Sequence, residues 1–197
     1  MRCAYHPDYF VALPATHPFP MAKYPLLLEA LRREGLVQQG DLIEPGEACL
    51  ADLRLVHDDD YLDRLAAGTL DAAAVRRIGV PWSPALWRRS RLAVQGTLEA
   101  ARAALEDGVA ANLAGGTHHA FPAHGEGFCL LNDVAVAIRV LQRDGRARRA
   151  LVIDLDVHQG NGTAAIFEGD PGVFTFSMHG ERNYPLQKMR STLDVGL

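Results

Sequence analysis

The chain has 197 residues, 48% of them hydrophobic, enough to bury a sizeable core, and residues 1–197 read as one domain. A formal net charge of −4 and a pI near 6.0 exclude a general attraction to nucleic acid or to an anionic membrane surface. No apolar run approaches the ~18 residues of a membrane span, and residues 1–10 hold His, Pro and Asp where a secretion signal needs an apolar core, so a soluble, cytoplasmic protein is expected.

Residues 2–5 suit a short first strand, followed by a loop rich in Pro and His. From about Met21 a helix is expected, because Tyr24, Leu27, Leu28, Leu31 and Leu36 recur at helical spacing, interrupted at Gly35. Residues 41–44 suit a second strand, closed by Pro45-Gly46. Within residues 53–65, His57-Asp58-Asp59-Asp60-Tyr61 offers a cap and an acidic first turn for a helix that runs through Leu65. Residues 68–82 read as a loop. Ser83-Pro84 then opens a long helix in the favoured order of cap and proline, with Leu86, Ala93, Val94, Leu98, Ala101 and Leu105 as its core stripe and Asp107-Gly108 as its end. Its Arg88, Arg89 and Arg91 read as a solvated face. Residues 109–114 form a strand of small residues that runs into Gly115-Gly116-Thr117-His118-His119. Asn132 and Asp133 open a helix over residues 134–141, Leu151 begins the next strand, and residues 163–167 and 173–177 follow as helix and strand. Residues 181–194 read as irregular. Cys3, Cys49 and Cys129 lack the spacing of a disulfide framework and read as free thiols. This alternation predicts an α/β fold, a doubly wound, mainly parallel sheet with helices on both faces.

The stretch from Leu151 to Thr163 carries the chemistry. It begins as a run of β-formers, as expected for a strand buried on both faces of a parallel sheet. From Asp154 the side chains alternate, placing Asp154, Asp156 and His158 on one side of an extended backbone and Leu155 and Val157 on the other. Carboxylate and imidazole at the carboxyl end of such a strand suit zinc, iron or manganese. For this segment taken alone, a turn whose aspartates cap the next helix is the alternative. The tandem His118-His119 also follows a strand, and the two clusters are expected to face one pocket.

Three motifs, Gly-Gly-Thr-His-His-Ala, Gly-Glu-Gly-Phe-Cys-Leu-Leu-Asn-Asp and Asp-Leu-Asp-Val-His-Gln-Gly-Asn-Gly-Thr, resemble in order and spacing those of the histone deacetylase superfamily, especially its bacterial members. Phe174-Thr175-Phe176-Ser177-Met178-His179-Gly180 and Ile78-Gly79-Val80-Pro81-Trp82 add to the likeness. The resemblance implies an arginase/deacetylase-like fold and a zinc-dependent amidohydrolase that removes acetyl or other acyl groups from lysine, a polyamine or another small amine. It makes Asp156 and His158 zinc ligands, and puts His118 and His119 beside the metal, one as general base and the other as acid or electrostatic partner. Asp154 would orient His118 and Asn161 would hold His119. Phe128 would line a substrate channel in which Gly127 leaves room for methylenes. The resemblance also implies a structural K+ held by Asp154, Asp156, His158, Ser177 and Met178. The implied partner is a small acylated amine or acetyl-lysine, with neither nucleic acid nor membrane.

The departure lies at the end of the chain. A third metal ligand and an oxyanion-stabilising tyrosine belong to later elements of the family, and Asp170 and Asp194 stand in no matching context. The expectation is therefore a domain truncated at the C-terminus, with a non-catalytic binding module as the second reading. A sheet cut short would expose a strand edge and apolar surface, favouring self-association.

Overall fold

The computed structural model describes residues 1–197. Its six short strands pair in parallel throughout, in two three-stranded sheets. In the first, β1 (Arg2–Ala4) lies between β2 (Leu42–Ile43) and β3 (Ala110–Asn112), with Cys3 opposite both Leu42 and Ala111. In the second, β5 (Val173–His179) lies between β4 (Ala150–Asp154) and β6 (Leu193–Gly196), with Asp154 opposite Ser177.

Helices make the crossovers. Leu28 and Leu31 of α1 (Lys23–Arg33) pack with Cys3 and Leu113 against the first sheet. Beyond β2 come the short helices α2 (Leu50–Leu53), α3 (Asp59–Ala67) and α4 (Ala72–Ile78). The long helix α5 (Pro84–Asp107) starts where the Ser83 hydroxyl accepts the Leu86 N–H at 3.1 Å, and it packs along β1, β3 and the next helix. That helix, α6 (Asp133–Arg143), is capped by Asn132, whose side-chain oxygen accepts from the Ala135 N–H at 3.0 Å. Ala135 of α6, Phe167 just after α7 (Asn161–Ile166) and Val173 of β5 close the inner side of the second sheet.

The helix expected through Leu65 after the His57–Tyr61 cap forms as α3. Four readings of the sequence need correction. Residues 68–82 contain α4, a short helix capped by Asp71 at the Ala74 N–H (2.8 Å); its Ala-rich turns carry no apolar stripe to reveal it. Residues 193–196, read as irregular in part, pair with β5 as β6. β4 is covered on one face only: Leu151 and Ile153 are 61% and 60% exposed, and Phe174 and Leu193 of the neighbouring strands share that bare side. A run of β-formers reads the same whether or not its own chain covers the second face. Arg89 is buried rather than solvated, stacked on Tyr24 and donating to that residue's hydroxyl.

The turn between α2 and α3 fixes a buried imidazole. His57 donates from Nδ1 to the Phe121 carbonyl (3.0 Å), and its Nε2 accepts the Asn132 N–H (3.0 Å). Burial lowers its pKa from 6.5 to about 4, partly opposed by the backbone carbonyls it faces. The unfolded chain therefore binds this proton more readily than the folded one, so stability is full above pH 6.5 and is lost as pH falls toward 4. The loss should reach about 3 kcal/mol for this group. Urea denaturation at neutral and acid pH should show a flatter profile in His57→Gln, which cannot titrate, than in the native protein.

Candidate active site

The tandem histidines are positioned by a buried carboxylate on a neighbouring helix. Asp133, 0% exposed at the start of α6, accepts the backbone N–H groups of Gly116 (3.0 Å) and Thr117 (2.7 Å) and the Thr97 hydroxyl. Negative charge at a helix N-terminus is favoured, and its remaining capacity is spent on holding the Gly115-Gly116-Thr117 turn. A Cβ at Gly115 would lie 2.7 Å from the Asp133 carboxylate, so only glycine fits there. The adjacent Asn132 amide donates to the Ala120 carbonyl (3.2 Å) and the Thr163 hydroxyl (3.0 Å), tying the loop to α7.

The two imidazoles so placed lie 4.1 Å apart between ring centroids. His118 Nδ1 is 2.6 Å from Asp154 Oδ2, at the end of β4, and because an ionised carboxylate only accepts, His118 donates from Nδ1. His119 Nδ1 is 2.7 Å from Asn161 Oδ1, at the start of α7. His119 is buried, which lowers its pKa to about 4, helped by the nearby imidazole of His118. His158 follows at 6.0 Å from the His119 ring.

Asp156 and His158 stand just past the end of β4. The Asp156 carboxylate accepts the His158 N–H at 2.7 Å and lies 2.9 Å from His158 Nδ1. Burial raises the Asp156 pKa, but the His158 N–H and the imidazoles of His118 and His158 outweigh it, and the net shift is downward. Two donors sharing a tetrahedral metal at ordinary bond lengths sit about 3.3 Å apart, so this pair suits one divalent ion in donor type and spacing. No three His, Cys, Asp or Glu side chains converge on such a site, however. The pair would supply two donors of the three that a catalytic zinc takes.

His119 and His158 line one cleft of ≈ 370 Å³, bounded by Gly127, Phe128 and Tyr184. Phe128 takes φ 69°, a conformation rare for a bulky residue, and its N–H is anchored to the Ile78 carbonyl at 2.7 Å. Its ring packs against Phe19 at 5.2 Å between centroids. Across the cleft the Tyr184 ring stands edge-on to His119 at 5.0 Å. A Cβ on Gly127 would meet the His119 ring at 2.6 Å. Ser177 lies opposite Asp154 in the β4–β5 register, with Met178 beside it, so all five residues expected to hold a monovalent cation occupy β4, β5 and the turn after β4.

The profile of the family described as Histone deacetylase domain matches residues 17–195. The chain belongs to the histone deacetylase family. An uncharacterized protein of Picosynechococcus sp. is 53% identical to it over 193 residues, covering 98% of this chain and 64% of that protein. The acetoin utilization protein AcuC of Bacillus subtilis is 36% identical, covering 85% of this chain and 46% of AcuC. The crystal structure of an HDAC homologue from Aquifex aeolicus superposes with a TM-score of 0.84 at 29% identity, covering 99% of this chain and 58% of that one. The chain thus spans between 46% and 64% of the length of these relatives.

The deacetylase motifs by themselves give no role to Tyr184 and Glu126, which border this site, or to Asp133 and His57, which support it from behind. Tyr184 lies in a segment with no periodicity, Glu126 sits inside a motif valued for its Gly and Phe, and Asp133 and His57 read as ordinary helix caps. Asp133→Ala should cost on the order of 3 kcal/mol, because at least two buried N–H groups lose their acceptor. Urea denaturation would measure the loss, and hydrogen exchange should show faster opening at Gly116 and Thr117 than in α5.

Proposed function

We propose that residues 1–197 form the part of a zinc-dependent deacetylase that carries the proton-transfer groups and two of the metal ligands, acting on acyl amides of lysine, a polyamine or another small amine. The observation that carries this reading is the pairing of His118 and His119 at 4.1 Å, with His119 and His158 lining one cleft beside Phe128 and Tyr184. Zinc bound at Asp156 and His158, with a donor from outside these two residues, would polarise the amide carbonyl and acidify a water. Burial keeps the His119 ring neutral, and so able to accept a proton, throughout the neutral range. We take His119 as the base that accepts the proton of the attacking water and, once protonated, returns it to the departing amine, with His118, hydrogen-bonded to Asp154, as its electrostatic partner. Gly127, Phe128 and Tyr184 give an apolar sleeve for the substrate's methylenes. A potassium ion held by Asp154, Ser177 and the carbonyls of Asp156, His158 and Met178 would fix the end of β4 against β5.

A non-catalytic, acyl-ligand-binding member is the second reading, favoured by one observation: Asp156 and His158 are half-exposed and no third donor joins them. Assay of purified residues 1–197 on an acetyl-lysine peptide with added zinc should give little or no turnover. Stoichiometric zinc together with rapid turnover would overturn the two-ligand assignment. In a longer, active form, His119→Ala should lower kcat on the order of a hundredfold or more while zinc content holds. Loss of zinc along with activity would make His119 a ligand instead.

The partner expected at the bare face of the second sheet is another apolar surface. Leu151, Ile153, Phe174 and Leu193 lie exposed on the same side, next to exposed Leu155 and Val157. Contiguous apolar surface of this kind drives association. Sedimentation of residues 1–197 should show dimers or larger species, and Ile153→Glu, which puts a charge at the centre of the face, should return the chain toward monomer.

A further inference from the structure

We propose that Glu126 is a positioning residue for the tandem-histidine centre: its carboxylate decides which nitrogen of His119 carries the proton. The proposal deepens the reading of His119 as the base and rests on it. His119 and Asn161 are both buried, at 4% and 2% exposure, so water does not arbitrate between them. As an isolated pair they can be satisfied in two ways. Either Nδ1–H donates to the amide oxygen, or the amide N–H donates to a bare Nδ1, since amide and imidazole can each present a donor or an acceptor. The two arrangements leave opposite ends of the ring for chemistry. Only the first exposes a lone pair at Nε2.

Glu126 removes the ambiguity. Its Oε1 lies 3.1 Å from Asn161 Nδ2, and an ionised carboxylate has no proton to offer. The amide must therefore turn its NH2 to Glu126 and its oxygen to His119, whose Nδ1 stands 2.7 Å away. Nδ1 must then hold the proton. Asp154 achieves the same for His118 directly, with a carboxylate at 2.6 Å. At His119 the carboxylate acts one residue further back, through an amide. A charge-assisted bond of this kind biases the amide by on the order of tenfold or more.

The rest of the Glu126 environment leaves it an acceptor. The Tyr184 hydroxyl donates to the same Oε1 at 2.8 Å, and burial, with Glu126 itself, raises the Tyr184 pKa and keeps that proton in place. His124 Nε2 lies 3.7 Å from Oε2. The same carboxylate thus also ties the ring that stands edge-on to His119. A Glu126 that served only to hold Tyr184 would leave the His119 tautomer unchanged when removed.

That difference is the test. Residues 1–197 labelled with 15N-histidine, without metal and at pH about 8, above the ordinary imidazole pKa, report each ring's tautomer through long-range 15N–1H correlations. The His119 signals are assigned by their loss in His119→Ala. His119 is expected almost wholly Nδ1–H in the native chain and in Glu126→Gln, which keeps an oxygen for Asn161. In Glu126→Ala the Nε2–H form should rise at least severalfold. Asn161→Asp in that background should restore Nδ1–H, because a carboxylate then faces the ring directly. Glu126→Met, close to Glu in length and without an acceptor, must repeat the alanine result, and serves alone if the alanine variant does not fold. A His119 that stays Nδ1–H in both overturns the proposal. Turnover is read separately: an inactive, metal-loaded longer form would sink the role of His119 as base while leaving the tautomer result standing.

Discussion

The whole site hangs on a carboxylate that never touches it. Asp133 is sealed from water and receives the N–H groups of Gly116 and Thr117, so the turn before His118 can close in only one way. Asn132, its neighbour, binds the Ala120 carbonyl just after His119 and reaches Thr163 on α7. One helix start therefore grips the tandem-histidine loop on both sides. Unpaired polar groups at this depth would cost more than most packing defects, which makes the loop rigid by necessity.

Behind each imidazole stands a partner supplied by a different element. Asp154 comes from the end of β4 and Asn161 from the first turn of α7, with Glu126 behind the amide. The turn between them, residues 155–160, carries Asp156 and His158. The partners of both imidazoles and the Asp156–His158 pair are thus held by one strand–turn–helix unit, and a shift in that unit would move both together. The cleft walls come from elsewhere, from the positive-φ loop at Phe128 and from the segment after β5 at Tyr184.

The second sheet presents a different balance. Its inner side is closed by Ala135, Phe167 and Val173, whereas its outer side leaves Leu151, Ile153, Phe174 and Leu193 to solvent. A deacetylase-family site therefore rests on a sheet that is half-covered. The half that is covered is the half that bears on α6 and α7, and through them on the histidines.

Much of this was legible in the sequence, because it depends on local signals. Ser83-Pro84, Asn132 and the glycines after α3 and α5 mark helix ends by capping chemistry that needs no neighbour. Alternating strand and helix periods give the parallel α/β class, and three ordered motifs around His118-His119, Phe128 and Asp156-Val157-His158 carry the resemblance to the family. Only the folded chain could decide the rest. Whether β4 is covered once or twice, whether Arg89 faces solvent or Tyr24, and whether residues 193–196 find a strand to pair with depend on which surfaces meet. So does the environment of Glu126, 35 positions from Asn161 in the chain. Hydrogen-bond partners that distant are chosen by tertiary packing, since periodicity constrains only a residue's own turn or strand.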